Sequence, residues 1–226
     1  MALSEGVRVS NVRGLWRNRY VHGVNATGYD FKGSGYKSVA RVETNRLVLR
    51  KPCLADADAI YGRYAADAEV TKYVGWPRHH SIEDTEAFLR FSESEWRQWP
   101  AGPYLIESRG DGELLGGTGF GFESPSVAMT GYVLARDSWG FGYATEALMA
   151  IVDIARNLQV RHLYALCHPD NVASIRVLEK CAFVLDRRLE QFVEFPNLTP
   201  KRREDCLRYL LETSLGASRA GLNDAS

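Results

Sequence analysis

The sequence predicts an α/β (α+β) domain built on a mixed β-sheet, and three observations carry that prediction. Four separate segments read as amphipathic helices. Between and after them lie alternating or β-rich runs closed by Gly, Pro and acidic turns. The 226-residue length, with 45% hydrophobic and 25% charged residues, suits a soluble domain large enough to bury a continuous core. Helices interleaved with a mixed sheet give this class, and the composition excludes a mainly disordered chain, a collagen and a coiled coil.

Each element has a local reason. Arg46-Leu47-Val48-Leu49-Arg50 alternates as a half-buried strand does, and Pro52 closes it. Ala57, Ile60, Tyr61, Tyr64 and Ala65 then recur at helical spacing. Ser81-Ile82-Glu83-Asp84 reads as a capping box that opens a helix carrying Phe88 and Phe91 on one face. Residues 104–108, 114–122 and 130–134 read as three strands. Helix 143–156 presents Ala144, Ala147, Leu148, Ile151, Val152 and Ala155 as an apolar stripe. Strand 162–167, helix 172–181, strand 183–194 and strand 205–211 complete the body.

That body is expected over residues 42–213, with a tail at 214–226. Residues 1–41 differ: their first forty hold six of the twenty glycines and six Lys/Arg against two acids, with no apolar periodicity. They read as a basic extension with poor prospects of order, although Trp16, Tyr20, Tyr29, Phe31 and Tyr36 argue against a pure linker. Twenty-eight basic and 28 acidic residues cancel, so no global field favours DNA or an anionic membrane. No stretch approaches the ~18 apolar residues of a span, and the N-terminus lacks a signal peptide's apolar core. Cys53, Cys167, Cys181 and Cys206 are scattered without a CxxC, which favours buried reduced thiols over zinc or disulfides. A cytoplasmic protein, monomer or homodimer, with neither metal, nucleic acid nor membrane as partner, is the expectation.

Chemistry concentrates at Ser138-Trp139-Gly140-Phe141-Gly142-Tyr143-Ala144-Thr145-Glu146, between a strand and the best amphipathic helix. Glycines let the backbone turn tightly and bare its N–H groups, and the helix adds its free amides and positive dipole end. That combination makes an anion cradle fit for a pyrophosphate. The plainer alternative is a strand-to-helix turn with glycine punctuation. Neither a P-loop nor a G-x-G-x-x-G can be fitted here. The run Gly116-Gly117-Thr118-Gly119-Phe120-Gly121 lies inside a strand pattern, where glycine signals a bulge or a close backbone approach.

Trp139-Gly-Phe-Gly-Tyr-Ala-Thr-Glu-Ala147 resembles the pyrophosphate motif of GNAT (GCN5-related) N-acetyltransferases of the RimJ/RimL-like branch. His168-Pro-Asp-Asn-Val-Ala-Ser-Ile-Arg-Val-Leu-Glu-Lys-Cys-Ala-Phe183 is similar to that branch's Asn-x-x-Ser-x-x-Val-Leu-Glu-Lys-x-Gly-Phe signature. Glu43–Arg50 resembles its opening strand and Gly131–Leu134 its central one. The resemblance runs in order from Val42 to Glu212. It implies a GNAT fold, with a mixed sheet of six to seven strands flanked by helices, and acetyl-CoA as co-substrate.

By that resemblance Trp139, Gly140, Phe141, Gly142, Tyr143, Ala144 and Thr145 hold the pyrophosphate, with Trp139 where Gln or Arg is often found. Val133 and Leu134 match the strand backbone that pairs with pantetheine, and an amide there can polarise the thioester carbonyl. Asn171 hydrogen-bonds the cofactor or simply caps its helix; Ser174 stabilises the departing thiolate or merely packs. Three positions depart from the pattern. Leu178 replaces a frequent tyrosine acid, Met129 a frequent glutamate, and Ala182 the Gly before the closing Phe.

The sequence shows no obvious base. An α-amine of pKa ~7.8 is about a tenth deprotonated at pH 7, whereas lysine at ~10.4 is below one part in a thousand. Freeing lysine asks roughly 4–5 kcal/mol of the site, against about 1 for an α-amine. A chain without an obvious base therefore fits a protein N-terminal α-amine, with a small-molecule amine (polyamine, amino acid, aminoglycoside) as the alternative. Glu194 and Glu123 are the candidate bases, each also readable as a solvated carboxylate. His79-His80 face different ways, which disfavours a shared metal, but their loop can line the acceptor groove. A non-catalytic acyl-CoA sensor is the rival from another class.

Overall fold

The computed structural model describes residues 37–213. All but the last five residues of the 1–41 extension, and the 214–226 tail, lie outside the described residues. Chain order is β1 (Arg41–Glu43), β2 (Leu47–Arg50), α1 (Ala57–Ile60, continued by a π-helical turn Tyr61–Ala65), α2 (Ile82–Gln98), β3 (Pro103–Ser108), β4 (Leu114–Ser124), β5 (Val127–Leu134), α3 (Tyr143–Asn157), β6 (His162–Cys167), α4 (Val172–Lys180), β7 (Val184–Glu194) and β8 (Arg203–Glu212). The strands form one sheet in the order β1-β2-β3-β4-β5-β6-β8-β7, antiparallel except for β5–β6. Among the described residues the sheet has eight strands, against the six to seven expected. Glu43–Arg50 is not one strand: the Thr44 N–H and hydroxyl both bond the Leu47 carbonyl, and the turn folds β1 back onto β2.

Local signals set the helix ends. The Ser81 side chain accepts from the Asp84 amide, and the Asp84 carboxylate accepts from the amides of His80 and Ser81 at 2.9 and 3.2 Å. The inward face of α2 is Thr85, Leu89, Ser92 and Trp96, one step round from the Phe88/Phe91 face that spacing suggests. Both phenylalanines are half-buried. Helix α3 buries Ala147, Leu148, Ile151, Val152 and Ala155 against Leu47, Leu49 and Ile106, as its stripe predicts. Helices α1 and α2 cover the other face, packing around Leu105 and Leu114. Each fully buried Leu or Ile contributes roughly 1.5–3 kcal/mol.

The glycine run in β4 serves the sheet. A Cβ on Gly119 would sit 2.5 Å from the Gly102 carbonyl, and one on Gly116 2.1 Å from that of Val133. Neighbouring strands therefore approach β4 more closely than any side chain permits. The feature that positions the site is a split in the sheet. The parallel β5–β6 ladder covers only Val127–Met129 against His162–Tyr164, and beyond that the strands diverge.

Candidate active site

The split opens into a cavity of about 640 Å³. Which backbone groups face it follows from the ladder. Bonded pairs alternate in an antiparallel pair, and the Ala135 N–H donates to Leu115 O at 2.8 Å. Val133 and Gly117 therefore form the next bonded pair, with Val133's N–H and C=O directed at β4. Those of Tyr132 and Leu134 point the other way, into the gap left by β6. The Leu134 carbonyl accepts the indole N–H of Trp139 at 2.9 Å, and Trp139, 46% exposed, lines the cavity.

Beyond β5 the chain enters α3 through Gly140 and Gly142, both left-handed at φ 84° and 81°. Only glycine takes this conformation without strain. Gly142 is the N-cap and no side chain caps the helix, so the first-turn amides of Tyr143, Ala144 and Thr145 stay open for an anion. Arg46, on the β1–β2 turn, braces the loop from behind. Its guanidinium donates to Phe141 O at 2.9 Å and to Glu146 at 2.7 Å, and lies 4.8 Å from the Tyr143 ring centre. Burial pushes the Glu146 carboxyl up, but hydrogen bonds from Thr44 and Arg46 outweigh it and hold the group ionised. The residues present therefore fit the diphosphate of a coenzyme A thioester.

Across the gap, Asn171 caps α4 by accepting the Ser174 amide at 3.1 Å, so the capping half of its reading is realised. Ser174 Oγ lies 2.9 Å from the Tyr132 hydroxyl. This pair links β5 to α4 across the gap, and Tyr132 is the residue sequence reasoning missed. The Gly-Tyr of the central strand gave the position, but only the fold brings residues 132 and 174 together. Burial pushes the Tyr132 hydroxyl far above its ordinary range, with the Ser174 bond offsetting part, so it keeps its proton at neutral pH. Cys167 also lines the cavity; burial pushes its thiol up to about 11, which leaves it protonated and a poor nucleophile. Cys181 and Cys206 are buried as well, whereas Cys53 is exposed, contrary to the uniform burial expected.

Neither candidate carboxylate lines the cavity. Glu123 lies past the closed end of the split, where it accepts from the Tyr164 hydroxyl. Glu194 falls between Val193 and Phe195, both lining residues, and is not one itself. The far side of the cavity is aromatic instead, with Tyr73, Trp76, Phe88 and Phe195 beside His79. Its two loops are tied together by Asn197. That side chain accepts the Arg78 amide at 2.8 Å and donates to Thr71 O at 2.7 Å and Trp76 O at 2.9 Å. His168 adds a second tie, stacking on Tyr73 and meeting Phe195 edge-on.

An open strand edge that can pair with an extended thioester arm, leading to a glycine turn that can hold its anionic end, defines an acyltransferase. The family follows from the sequence: residues 46–184 match the acetyltransferase (GNAT) domain, more than half of the chain, and the protein belongs to that family. The uncharacterized N-acetyltransferase YoaA of Bacillus subtilis is 31% identical over 162 residues, spanning 70% of this chain and 90% of that protein. Among solved structures, the RimL ribosomal L7/L12 alpha-N-protein acetyltransferase in complex with coenzyme A aligns with a TM-score of 0.67 at 22% identity. It covers 76% of this chain and 97% of its own. The Microcin C7 self immunity acetyltransferase MccE, in complex with acetyl-CoA and AMP, gives 0.68 at 19% identity over 78% and 98%. At these identities the two structures attest the GNAT fold.

Proposed function

We propose that the protein moves the acetyl group of acetyl-CoA to a primary amine by direct attack in a ternary complex, and that the acceptor is a protein N-terminal α-amine. The observation carrying this reading is the split between β5 and β6, with the Tyr132–Ser174 pair at its heart. Residues 139–145 would hold the pyrophosphate, Tyr132 and Leu134 would offer backbone to the pantetheine, and Asn171 has a side-chain amide to add. Of Val133 and Leu134, both matched to the pantetheine-pairing strand, the Leu134 amide is the one free to polarise the thioester carbonyl, since the polar backbone groups of Val133 are directed at β4. Ser174, backed by Tyr132, supplies the proton to the departing thiolate. High thiol pKa at Cys167 favours direct attack over an acyl-cysteine.

An aromatic chamber whose lining carboxylates are Glu69 and Asp170 suits a single ammonium on an apolar residue better than a polycation. The likeness to a ribosomal-protein α-N-acetyltransferase fits the same acceptor class. The cytoplasm is the compartment this reading assigns. Calorimetric titration of acetyl-CoA, then free-thiol release with a panel of peptides and small amines, tests it. Peptide-dependent release supports the α-amine reading, release by small amines alone moves the acceptor class, and binding without release favours a sensor. Gly142→Asp adds bulk and negative charge at a left-handed position and should weaken acetyl-CoA at least tenfold; unchanged affinity would overturn the cradle.

A further inference from the structure

We propose that His79 is the general base that takes the acceptor's ammonium proton, an inference that rests on the acetyltransferase reading above. The transfer needs a neutral amine, and neither Glu123 nor Glu194 reaches the cavity. His79 lines that cavity on the acceptor side and is only 7% exposed. Its placement is fixed from three directions. The backbone N–H bonds Ala65 O at 3.0 Å, the ring packs on Trp76 at 5.2 Å, and Nδ1 lies 2.8 Å from the Thr85 hydroxyl. With Nδ1–H donating to Thr85, Nε2 carries the free lone pair.

The surroundings keep the ring neutral. Burial lowers its pKa below the usual histidine value, Asp84 opposes that, and His80 adds to it. Asp84 is already engaged by the amides of His80 and Ser81. The other ionisable groups lining the cavity are Glu69, Lys72, Tyr73, Asp170 and the protonated Cys167 thiol, together with Tyr64, Tyr104 and Tyr132, whose hydroxyls burial keeps protonated. A neutral imidazole in an aromatic chamber is matched to an α-amine of pKa near ~7.8 and far from a lysine.

The protons balance. One ammonium proton passes to His79 Nε2 and on to solvent, freeing the lone pair that forms the N–C bond. As the tetrahedral adduct collapses, the C–S pair leaves on sulfur, which takes the Ser174 proton. The second nitrogen proton restores that hydroxyl. The net products are the amide, the free thiol and one released proton.

His79→Gln and Thr85→Val, assayed from pH 6 to 10 with the peptide that drives thiol release in the wild type, test the proposal. His79→Gln should lower kcat by about 10²–10³-fold at pH 7. The deficit should shrink below about tenfold at pH 9–10, where the amine arrives already deprotonated. Acetyl-CoA affinity should be unchanged, and the imidazole resonance lost in the variant should titrate below the ordinary histidine value in the ligand-free wild type. A wild-type kcat in His79→Gln, or a deficit constant across pH, overturns the base while wild-type release leaves the transferase reading standing. Should the Gln variant misfold, Thr85→Val carries the test: the imidazole stays but loses its fixed tautomer, so an unaltered pH profile there overturns the proposal. No thiol release by the wild type with any amine overturns both readings.

Discussion

Ser174 and Tyr132 share one hydrogen bond at 2.9 Å, and their roles can be separated. Ser174→Ala removes the hydroxyl nearest the proposed thiolate, whereas Tyr132→Phe leaves that hydroxyl in place but without its backing. We expect the serine change to lower kcat by about 10–100-fold and the tyrosine change by less, both with acetyl-CoA affinity within about threefold of wild type. Loss of affinity with kcat preserved would make the pair a binding device. Half of this was legible beforehand: the Asn171-x-x-Ser174 spacing shows in the sequence, but the approach of residue 132 depends on where β5 leaves β6. The same limit leaves Val133 and Leu134 undistinguished in the sequence. Which strand residues face a ligand is a matter of ladder phase, and the phase is set by Leu115–Ala135 pairing that no local pattern reveals.

Single elements show what family-like positions cost when altered. Helix α4 ends in a Schellman arrangement: the Phe183 amide bonds Leu178 O and the Ala182 amide bonds Glu179 O, each at 3.0 Å. The residue between is Ala182 at φ 65°, where the resembling signature has glycine. A left-handed alanine costs roughly 1–2 kcal/mol, part of which glycine's greater unfolded-state entropy returns. Ala182→Gly should therefore stabilise the protein by about 0.5–1 kcal/mol in urea unfolding; destabilisation would mean the methyl packs productively. On the β2 side, Arg50 bridges Asp56 at 2.7 Å and Glu107 at 2.6 Å. Burial alone would raise the Asp56 pKa, but Arg50 and the Cys53 amide bring it below the usual aspartate value. A depressed carboxylate contributes stability above its unfolded pKa of ~3.9 and loses it as pH falls through the folded value. Asp56→Asn should cost about 1–3 kcal/mol from pH 5 to 8, and the gap to wild type should close toward pH ~2. A gap that persists in acid would assign the effect to packing.

Across the whole molecule, the strands and helices were legible because nearly every one carries its own period, cap or breaker. Arg41–Glu43 was missed because three residues are too few to show alternation, and the π-turn at Tyr61–Ala65 because its apolar spacing matches an α-helix. The split, by contrast, is a property of the sheet. Its two halves are joined by three parallel residue pairs and by contacts of α3 with β5 and α4. An acetyl-CoA seated there touches β5 on one side and α4 on the other, so binding must stiffen both flanks together. At 100-fold excess over Kd it should add about 2.7 kcal/mol to global stability. Hydrogen exchange should slow at residues 131–134 and at 171–178 in the same concentration range, along with the amides of 140–145. Protection confined to 140–145 would mean that the ligand rests on the turn without entering the split, and would remove Tyr132 and Ser174 from the reaction.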